Sequence, residues 1–577
     1  MSHTTVASLG THEKGIRARL GRFVEERVVE RLWDRDATLW ARDDPARRVV
    51  ENRLGWLDAP TLALRERTEY EELAQVARAE GDRHVILLGM GGSSLCPEVL
   101  SRTFPPASGY PSLAVLDSTH PASVLFAGRD APLGQTLFLV STKSGTTLET
   151  LSLYHYFWEL AEAAGHRTPG ASFVAITDPG TPLEAEARAR GFRAILPGPP
   201  HVGGRYSALT PFGLAPAALL GVDLEKLLGR AKAMGERCRH PGEDNPGLFL
   251  GAALCELGLT GRDKVTIVVD PPVASFGLWL EQLLAESLGK EGKGLIPVLE
   301  SSLGAPSSYG DDRVFVHMGM GAGSPEIERT LAALEAAGHP VLRIPLEDAY
   351  DLAGEDFRWE VATAVIAHGL GVNAFDEPNV AESKKNTENV LEALAKSGSF
   401  ESETPWATAD GLELYGPPGA PPPGGKTGDE KDLLRLWDTW LAARSPGSYL
   451  SLQAYLATVP PIEEMLETTK QKLRDRTRLA VTAGFGPRFL HSTGQLHKGG
   501  PPRGAFVQIT AGSSASLPIP GSPFTFEQLI RAQALGDARS LAGRTLPLLR
   551  FHFRDGGDLG AIRLWLDRLT RVPSRSA

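Results

Sequence analysis

From residue 16 to residue 79, apolar positions recur at three- and four-residue steps among Arg, Glu, Leu and Ala, as at Val24, Val28, Val29 and Leu32, which predicts a helical opening segment. The pattern then changes. Short β-rich runs at 84–89, 137–142, 172–177 and 194–197 alternate with helical stretches, the signature of βαβ units on a parallel sheet. A helical stretch over 215–261 separates these from a second series with strands expected at 264–270, 313–318 and 340–345. The run GPPGAPPPGG cannot sustain a helix or a central strand and predicts a surface linker or insertion. Beyond it, strand candidates at 479–482, 505–510 and 548–553 are expected to complete the second sheet, and the tail from Arg571 to fray. The expected division is a helical segment at 1–80, a first α/β module at 81–210, connecting helices at 211–262, a second module at 263–400, the Pro/Gly-rich insertion at 401–427, and a C-terminal part at 428–577.

At 577 residues the chain exceeds what one core holds, so more than one packed unit is required. With 42% hydrophobic and 23% charged residues it is globular, and its net charge of -10 argues against a nucleic acid as main partner, though it leaves room for a local basic pocket. Three cysteines, Cys96, Cys238 and Cys255, are an odd number without metal-ligand spacing, which fits a reducing compartment and a cytoplasmic location. The N-terminal stretch MSHTTVASLGTHEKGIRARL has no apolar core of a signal peptide, and no run approaches the roughly 18 apolar residues of a membrane helix.

Two segments carry candidate chemistry. In VILLGMGGSSLCPEVL an apolar strand runs into Gly89, Gly91 and Gly92, which admit an anion to the backbone, and then into Ser93 and Ser94 at a helix start. In LFLVSTKSGTTLETL the same logic recurs with Ser141, Thr142, Lys143, Ser144, Thr146 and Thr147, a donor set suited to the several oxygens of a phosphate. Each residue alone is more often a helix cap, but two such loops in one module point to phosphate.

These loops resemble the sugar-phosphate loops of the sugar isomerase (SIS) domain. GGRYSALTPFGLAPAALLG from Gly203, ESLGKEGKGLIP from Glu286 and FDEPNVAESKK from Phe375 narrow the resemblance to phosphoglucose isomerases, spread over about Gly81 to Gln508. The family implies an α/β protein of two SIS modules, each a parallel sheet flanked by helices, with the site in the cleft between them. It implies that Ser93, Thr142, Lys143, Ser144 and Thr147 hold the substrate phosphate, with backbone access at Gly92 and Gly145, and that Arg205 stabilises an enediolate, for which a fixed, always charged guanidinium is suited. Glu286 would be the base carrying a proton between C2 and C1, with Trp279, Leu283 and Leu284 drying its surroundings and raising its pKa. Without the ESLGK match, Glu281 and Glu300 would rank beside it as surface carboxylates. His491, in the pattern LHS followed by GQ, would open the sugar ring with Lys384 at the ring oxygen; His497 is a nearby rival, Lys385 a solvent-facing neighbour, and His317, His339 and His552 structural.

The order Glu286, Lys384, His491 departs from ordinary members, where the histidine motif lies between the other two, so the second module reads as rearranged in chain order. This order resembles the isomerase half of bifunctional transaldolase and phosphoglucose isomerase fusions, although the chain has no room for a transaldolase barrel. The resemblance implies interconversion of glucose 6-phosphate and fructose 6-phosphate through a cis-enediolate, with no cofactor or metal, by a homodimer that has a separately encoded transaldolase as a potential partner. The alternatives are an isomerase of another phosphosugar, mannose 6-phosphate, and a sugar-phosphate-sensing module without turnover. The latter would need no glutamate base.

Overall fold

The computed structural model describes residues 5–129, 132–164, 168–321, 323–423, 428–513 and 516–571. The chain opens on strand β1 (Val6–Ser8) and four helices, Glu13–Glu25, Val28–Trp33, Asp44–Glu51 and Ala59–Glu80. Asp43 starts the third by accepting the Ala46 N–H at 2.8 Å, with Pro45 in its first turn. Ile16, Leu20 and Phe23 of the first helix are buried in the main core, and Trp40 Nε1 donates to Ala364 O at 2.8 Å. The opening segment is thus built into the body of the protein.

The first sheet comprises β2 (His84–Gly89), β3 (Ser112–Leu116), β4 (Thr136–Ser141), β5 (Phe173–Thr177) and β6 (Ala194–Pro197), all parallel, in the order β3-β2-β4-β5-β6. β4 and β5 are buried throughout because helices cover both faces, which is why they read as continuous apolar runs. β3 escaped the sequence reading: it is an edge strand whose alternate residues Ser112 and Ala114 face water.

β7 (Lys264–Val269), β8 (Ile296–Leu299), β9 (Arg313–Met320) and β10 (Val341–Leu346) form the second parallel sheet, in the order β10-β9-β7-β8, and β1 pairs antiparallel with β10 at its edge. Helices Pro211–Leu219, Leu224–Cys238, Pro246–Leu259 and Leu352–Leu370 fill the space between the first two sheets, contributing residues such as Leu228, Leu254 and Val365 to the largest hydrophobic cluster.

The C-terminal strands do not complete this second sheet as expected. β11 (Ala407–Ala409), β12 (Leu412–Tyr415), β13 (Tyr449–Tyr455), β14 (Ala480–Phe485), β15 (Gly504–Ala511) and β16 (Leu548–Phe553) build a third, in the order β11-β12-β16-β15-β13-β14. At the edges of the second sheet, β1 pairs with β10, and past the carboxyl end of β8 helix Pro460–Thr477 docks, with Lys470 Nζ donating to Leu299 O at 2.6 Å and Arg474 to Glu300 Oε2 and Ser302 O at 2.6 and 2.9 Å. The segment expected to be only a loop carries the hairpin β11–β12, which continues the third sheet; Trp406 Nε1 pins the Pro/Gly run by donating to Ala420 O at 3.1 Å. Residues 424–427 of that segment and the tail 572–577 lie outside the described residues.

Candidate active site

β2 and β4 are neighbours, but β2 leads to β3 on one side and β4 to β5 on the other. This reversal opens a crevice at their carboxyl ends, the usual ligand position in an open α/β sheet. Both hydroxyl-rich loops emerge there. Thr142 and Thr147 share a hydroxyl hydrogen bond of 2.8 Å, and Ser144 Oγ accepts the N–H and hydroxyl of Thr146 at 3.3 and 3.1 Å. Gly145, at φ +66°, makes the turn between them, and helix Leu148–Ala163 begins directly after Thr147, adding its N-terminal dipole. The first loop is tied to the second by Ser141 Oγ donating to Ser93 O at 3.1 Å. Lys143 behaves differently from its neighbours. Its ammonium donates to both carboxylate oxygens of Asp178, at 2.8 and 2.6 Å, and to Pro199 O at 2.9 Å, so its charge is already shared with a carboxylate.

The loop after β6 brings Arg205 against this crevice. A Cβ on Gly92 would lie 2.0 Å from Gly204 O, so only glycine allows the two backbones to meet. Arg205 is buried, and all its nitrogens are engaged. Nε donates to Ser287 Oγ at 2.9 Å, Nη2 to the carbonyls of Ala374 and Asp376 at 2.6 and 2.9 Å, and Nη1 to Glu377 Oε2 at 3.1 Å. The same Nη1 lies 3.4 Å from Glu286 Oε1.

Glu286 sits in the last turn of helix Phe276–Leu288, the crossover between β7 and β8, among buried Leu283 and Leu284. Burial drives its pKa above the ordinary glutamate value; the Arg205 charge opposes this and the Glu377 carboxylate adds to it. In Glu377 burial also pushes upward, but its direct bond to Arg205 wins and holds it below the usual range. Of two adjacent carboxylates sharing one guanidinium, Glu286 is therefore the one poised to accept a proton. Gln282, one turn earlier, donates to Glu286 Oε2 at 3.0 Å and to the carbonyl of His491 at 2.9 Å, joining the helix to the third sheet.

His491 follows β14. Its Nε2 lies 3.0 Å from Glu149 Oε1, in the first turn of the helix after the second hydroxyl loop. Gln533 Nε2 donates to the same oxygen at 2.7 Å, and Thr119 in turn donates to Gln533 Oε1 at 2.7 Å. Burial alone would push Glu149 upward, but the neighbouring His491 and Lys384 hold its pKa below the ordinary value, so it stays anionic. His491, Lys384, Glu149, Thr146 and Thr147 line one cleft of about 120 Å³. His497 is elsewhere: buried against Phe489 and Phe506, with Nδ1 3.3 Å from Gln453 Nε2, and held neutral because burial drives its pKa well below the usual histidine value. Lys385 pairs with Glu388 at 3.3 Å on the surface.

The two other glutamates weighed against Glu286 differ from it and from each other. Glu300 is paired with Arg474 at 2.6 Å, whereas Glu281 is carried by burial to about 7. Several partners went unread in the sequence. Gln282 could have been found from its four-residue spacing to Glu286, and Glu149 from its place two residues beyond Thr147. Lys290 of the ESLGK motif grips the Phe375 segment, with Nζ 2.8 Å from Asp376 Oδ1. Glu377 lies inside the FDEPNVAESKK motif, although no role was read for it there, and Gln533 reaches the site through tertiary folding with no local pattern to mark it.

The chain is similar to several known proteins. The family model for phosphoglucose isomerase matches residues 76–301. A protein named glucose-6-phosphate isomerase from Rubrobacter xylanophilus is 31% identical over 388 residues, covering 59% of this chain and 89% of that protein. The crystal structure of a hypothetical protein from Thermus thermophilus superposes with a TM-score of 0.57 at 28% identity, covering 67% of this chain and all of that one. A glucose-6-phosphate isomerase structure from Chlamydia trachomatis shares the fold at 16% identity, with a TM-score of 0.55 over 69% of this chain and 90% of that chain.

Proposed function

This chain belongs to the phosphoglucose isomerase family, and from that premise we propose how its residues interconvert glucose 6-phosphate and fructose 6-phosphate. Isomerisation of an aldose to a ketose moves one proton from C2 to C1 and one from O2 to O1, while two electrons pass from C2 to C1. Glu286 removes the C2 proton from the open-chain aldose. The electron pair left on C2 forms the C1–C2 double bond as the carbonyl π pair moves onto O1, giving a cis-enediolate. Glu286 then delivers to C1 a proton that can exchange with water while the carboxyl holds it, and the hydroxyl proton on O2 passes to O1 as the O2 lone pair forms the C2 carbonyl, which completes the ketose. The charge on the enediolate oxygen is met by Arg205, whose guanidinium already lies 3.4 Å from the base and is fixed by four other hydrogen bonds, so it needs no reorganisation as charge develops.

Ring opening precedes this step. His491, oriented by Glu149, and Lys384 line the same cleft and move the protons between the C1 hydroxyl and the ring oxygen. The phosphate is held by the hydroxyls of Ser93, Thr142, Ser144 and Thr147, by the backbone at Gly92 and Gly145, and by Lys143, whose charge is shared with Asp178. The observation that carries this reading is the placement of Glu286: a partly buried carboxylate, 13% exposed, with a raised pKa, beside a guanidinium and one hydrogen-bonded residue away from His491.

On the family resemblance the assembly is a homodimer in the cytoplasm, and a separately encoded transaldolase is the macromolecular partner to look for. Light scattering after gel filtration reads the first, and co-purification the second. Among the described residues no helix is long and apolar enough to cross a membrane. The function is tested by a coupled assay of glucose 6-phosphate formation from fructose 6-phosphate, with and without a chelator. Chelator-resistant turnover is expected; sugar-phosphate binding with no turnover in the unaltered protein would contradict it.

A further inference from the structure

His491 stands at the end of a short 3-10 turn, Arg488–His491, that leaves the third sheet after β14. Two contacts that its ring does not make seat this turn on the first hydroxyl loop. Gly91, in the loop after β2, meets the histidine's backbone: its φ is +56°, and a Cβ there would lie 2.7 Å from His491 O and 3.1 Å from His491 Cβ. Three residues before the histidine, Arg488 reaches across the same joint. Its Nε donates to Asp117 Oδ2 at 2.6 Å, and Asp117 directly follows β3 of the first sheet. The same carboxylate oxygen accepts the hydroxyl of Ser94 at 3.1 Å, one residue beyond Ser93 in the hydroxyl loop. A single oxygen thus holds both the loop assigned to the phosphate and the turn that carries the ring-opening group.

Both partners of the ion pair are buried, Arg488 at 13% and Asp117 at 3% exposure. The other carboxylate near the guanidinium, Glu98 on helix Leu95–Thr103, lies 3.8 Å from Arg488 Nη2 and is already matched by Arg102 at 2.7 Å. Taking two charges out of water is costly, so a pair of this kind adds little stability over apolar residues of similar size. What it supplies here is a fixed register between two surfaces. Neither Arg488 nor Asp117 is among the residues that line the cleft of His491 and Lys384, so both act through the histidine.

We propose that Arg488 and Asp117 are positioning residues for ring opening: their ion pair fixes the His491 turn to the hydroxyl loop, so that the imidazole stands at a set distance from a sugar whose phosphate is bound there. The proposal rests on the assignment of ring opening to His491 and deepens it. With the pair gone, His491 keeps its bond to Glu149, but the turn is free to shift, so ring opening slows while the loop still binds phosphate.

Opening and reclosing of the ring interconverts the anomers of glucose 6-phosphate. In Glu286→Gln no proton moves between carbons, so exchange NMR of the anomers in that background reads ring opening alone. Adding Arg488→Met should slow the exchange at least about tenfold, and Asp117→Asn, which keeps an acceptor oxygen but loses the charge, should slow it less. Titration calorimetry should show unchanged glucose 6-phosphate affinity and stoichiometry in each. Because Arg488→Met alone strands the Asp117 charge and can weaken folding, the double change, which strands none, is made as well. It should be no slower than Arg488→Met, as for residues that act as one unit. Undiminished exchange in Asp117→Asn and in the double variant would overturn the proposal. So would slowing matched by an equal loss of bound ligand, the result a purely structural pair produces. No exchange above the spontaneous rate in Glu286→Gln itself would strike the ring-opening assignment, and this proposal with it, a failure distinct from that of the pair.

Discussion

Glu286 and Glu281, five residues apart on one helix, show how surroundings sort identical side chains. Glu286→Gln keeps the shape and hydrogen-bonding reach of the base but cannot take a proton, so kcat should fall by about 10²- to 10⁴-fold or more while sugar-phosphate affinity is retained. Because burial places the Glu286 pKa above that of an ordinary glutamate, turnover should fall as pH drops through a value higher than 4.5, and a kcat profile reads that limb directly. Glu281 has no catalytic partner, and its folded-state pKa of about 7 exceeds the unfolded value of 4.5. The folded state therefore binds more protons between these values, and stability falls as pH rises through that window. Glu281→Gln should remove this dependence, worth about 2 to 3 kcal/mol, and urea melts at pH 5 and pH 8 measure it. None of this sorting is visible in the sequence, where all three candidate glutamates follow apolar residues. Only the ESLGK resemblance singled out Glu286, and only the fold supplies the guanidinium and the second carboxylate beside it.

Burial alone does not decide which elements were legible. β2 and β16 fall where their apolar runs predict, and so does the half-exposed edge strand β6, whereas β13, buried along its whole length, β3, with alternate residues in water, and β12, among glycines and prolines, do not announce themselves. The hydroxyl loops were legible because their residue types are unusual for a strand-to-helix turn. Their closeness to Arg205 was not, since it depends on a backbone contact between residues more than a hundred positions apart. Gly92→Ala tests that contact. With 2.0 Å between the new Cβ and Gly204 O, the loops must separate. Chemical denaturation should show a loss on the order of 1 to 3 kcal/mol, and kcat should drop with it because Arg205 moves off the base.

At the scale of the molecule the proposed site draws on all three sheets. The first gives the hydroxyl loops and Glu149, the crossover helix of the second gives Glu286, and the third gives His491 and Gln533. The expectation that the C-terminal strands would complete the second sheet failed because strand pairing is a tertiary choice, and the Lys470 and Arg474 contacts that dock the third unit past the end of β8 have no signature in the sequence of β8 itself. Placing His491 on a separate sheet explains how it reaches the cleft despite its late position in the chain. It also makes Glu149 one of the bonds between the first and third units: Glu149→Gln should slow turnover of the cyclic sugar at least about tenfold while leaving phosphate binding intact, as read by KM and kcat separately. The most direct test of the whole account is deuterium exchange in heavy water, followed by proton NMR of fructose 6-phosphate incubated with the protein. The account predicts deuterium at C1 and formation of glucose 6-phosphate with the unaltered protein, and loss of both in Glu286→Gln with the ligand still bound. Undiminished exchange in Glu286→Gln would contradict it.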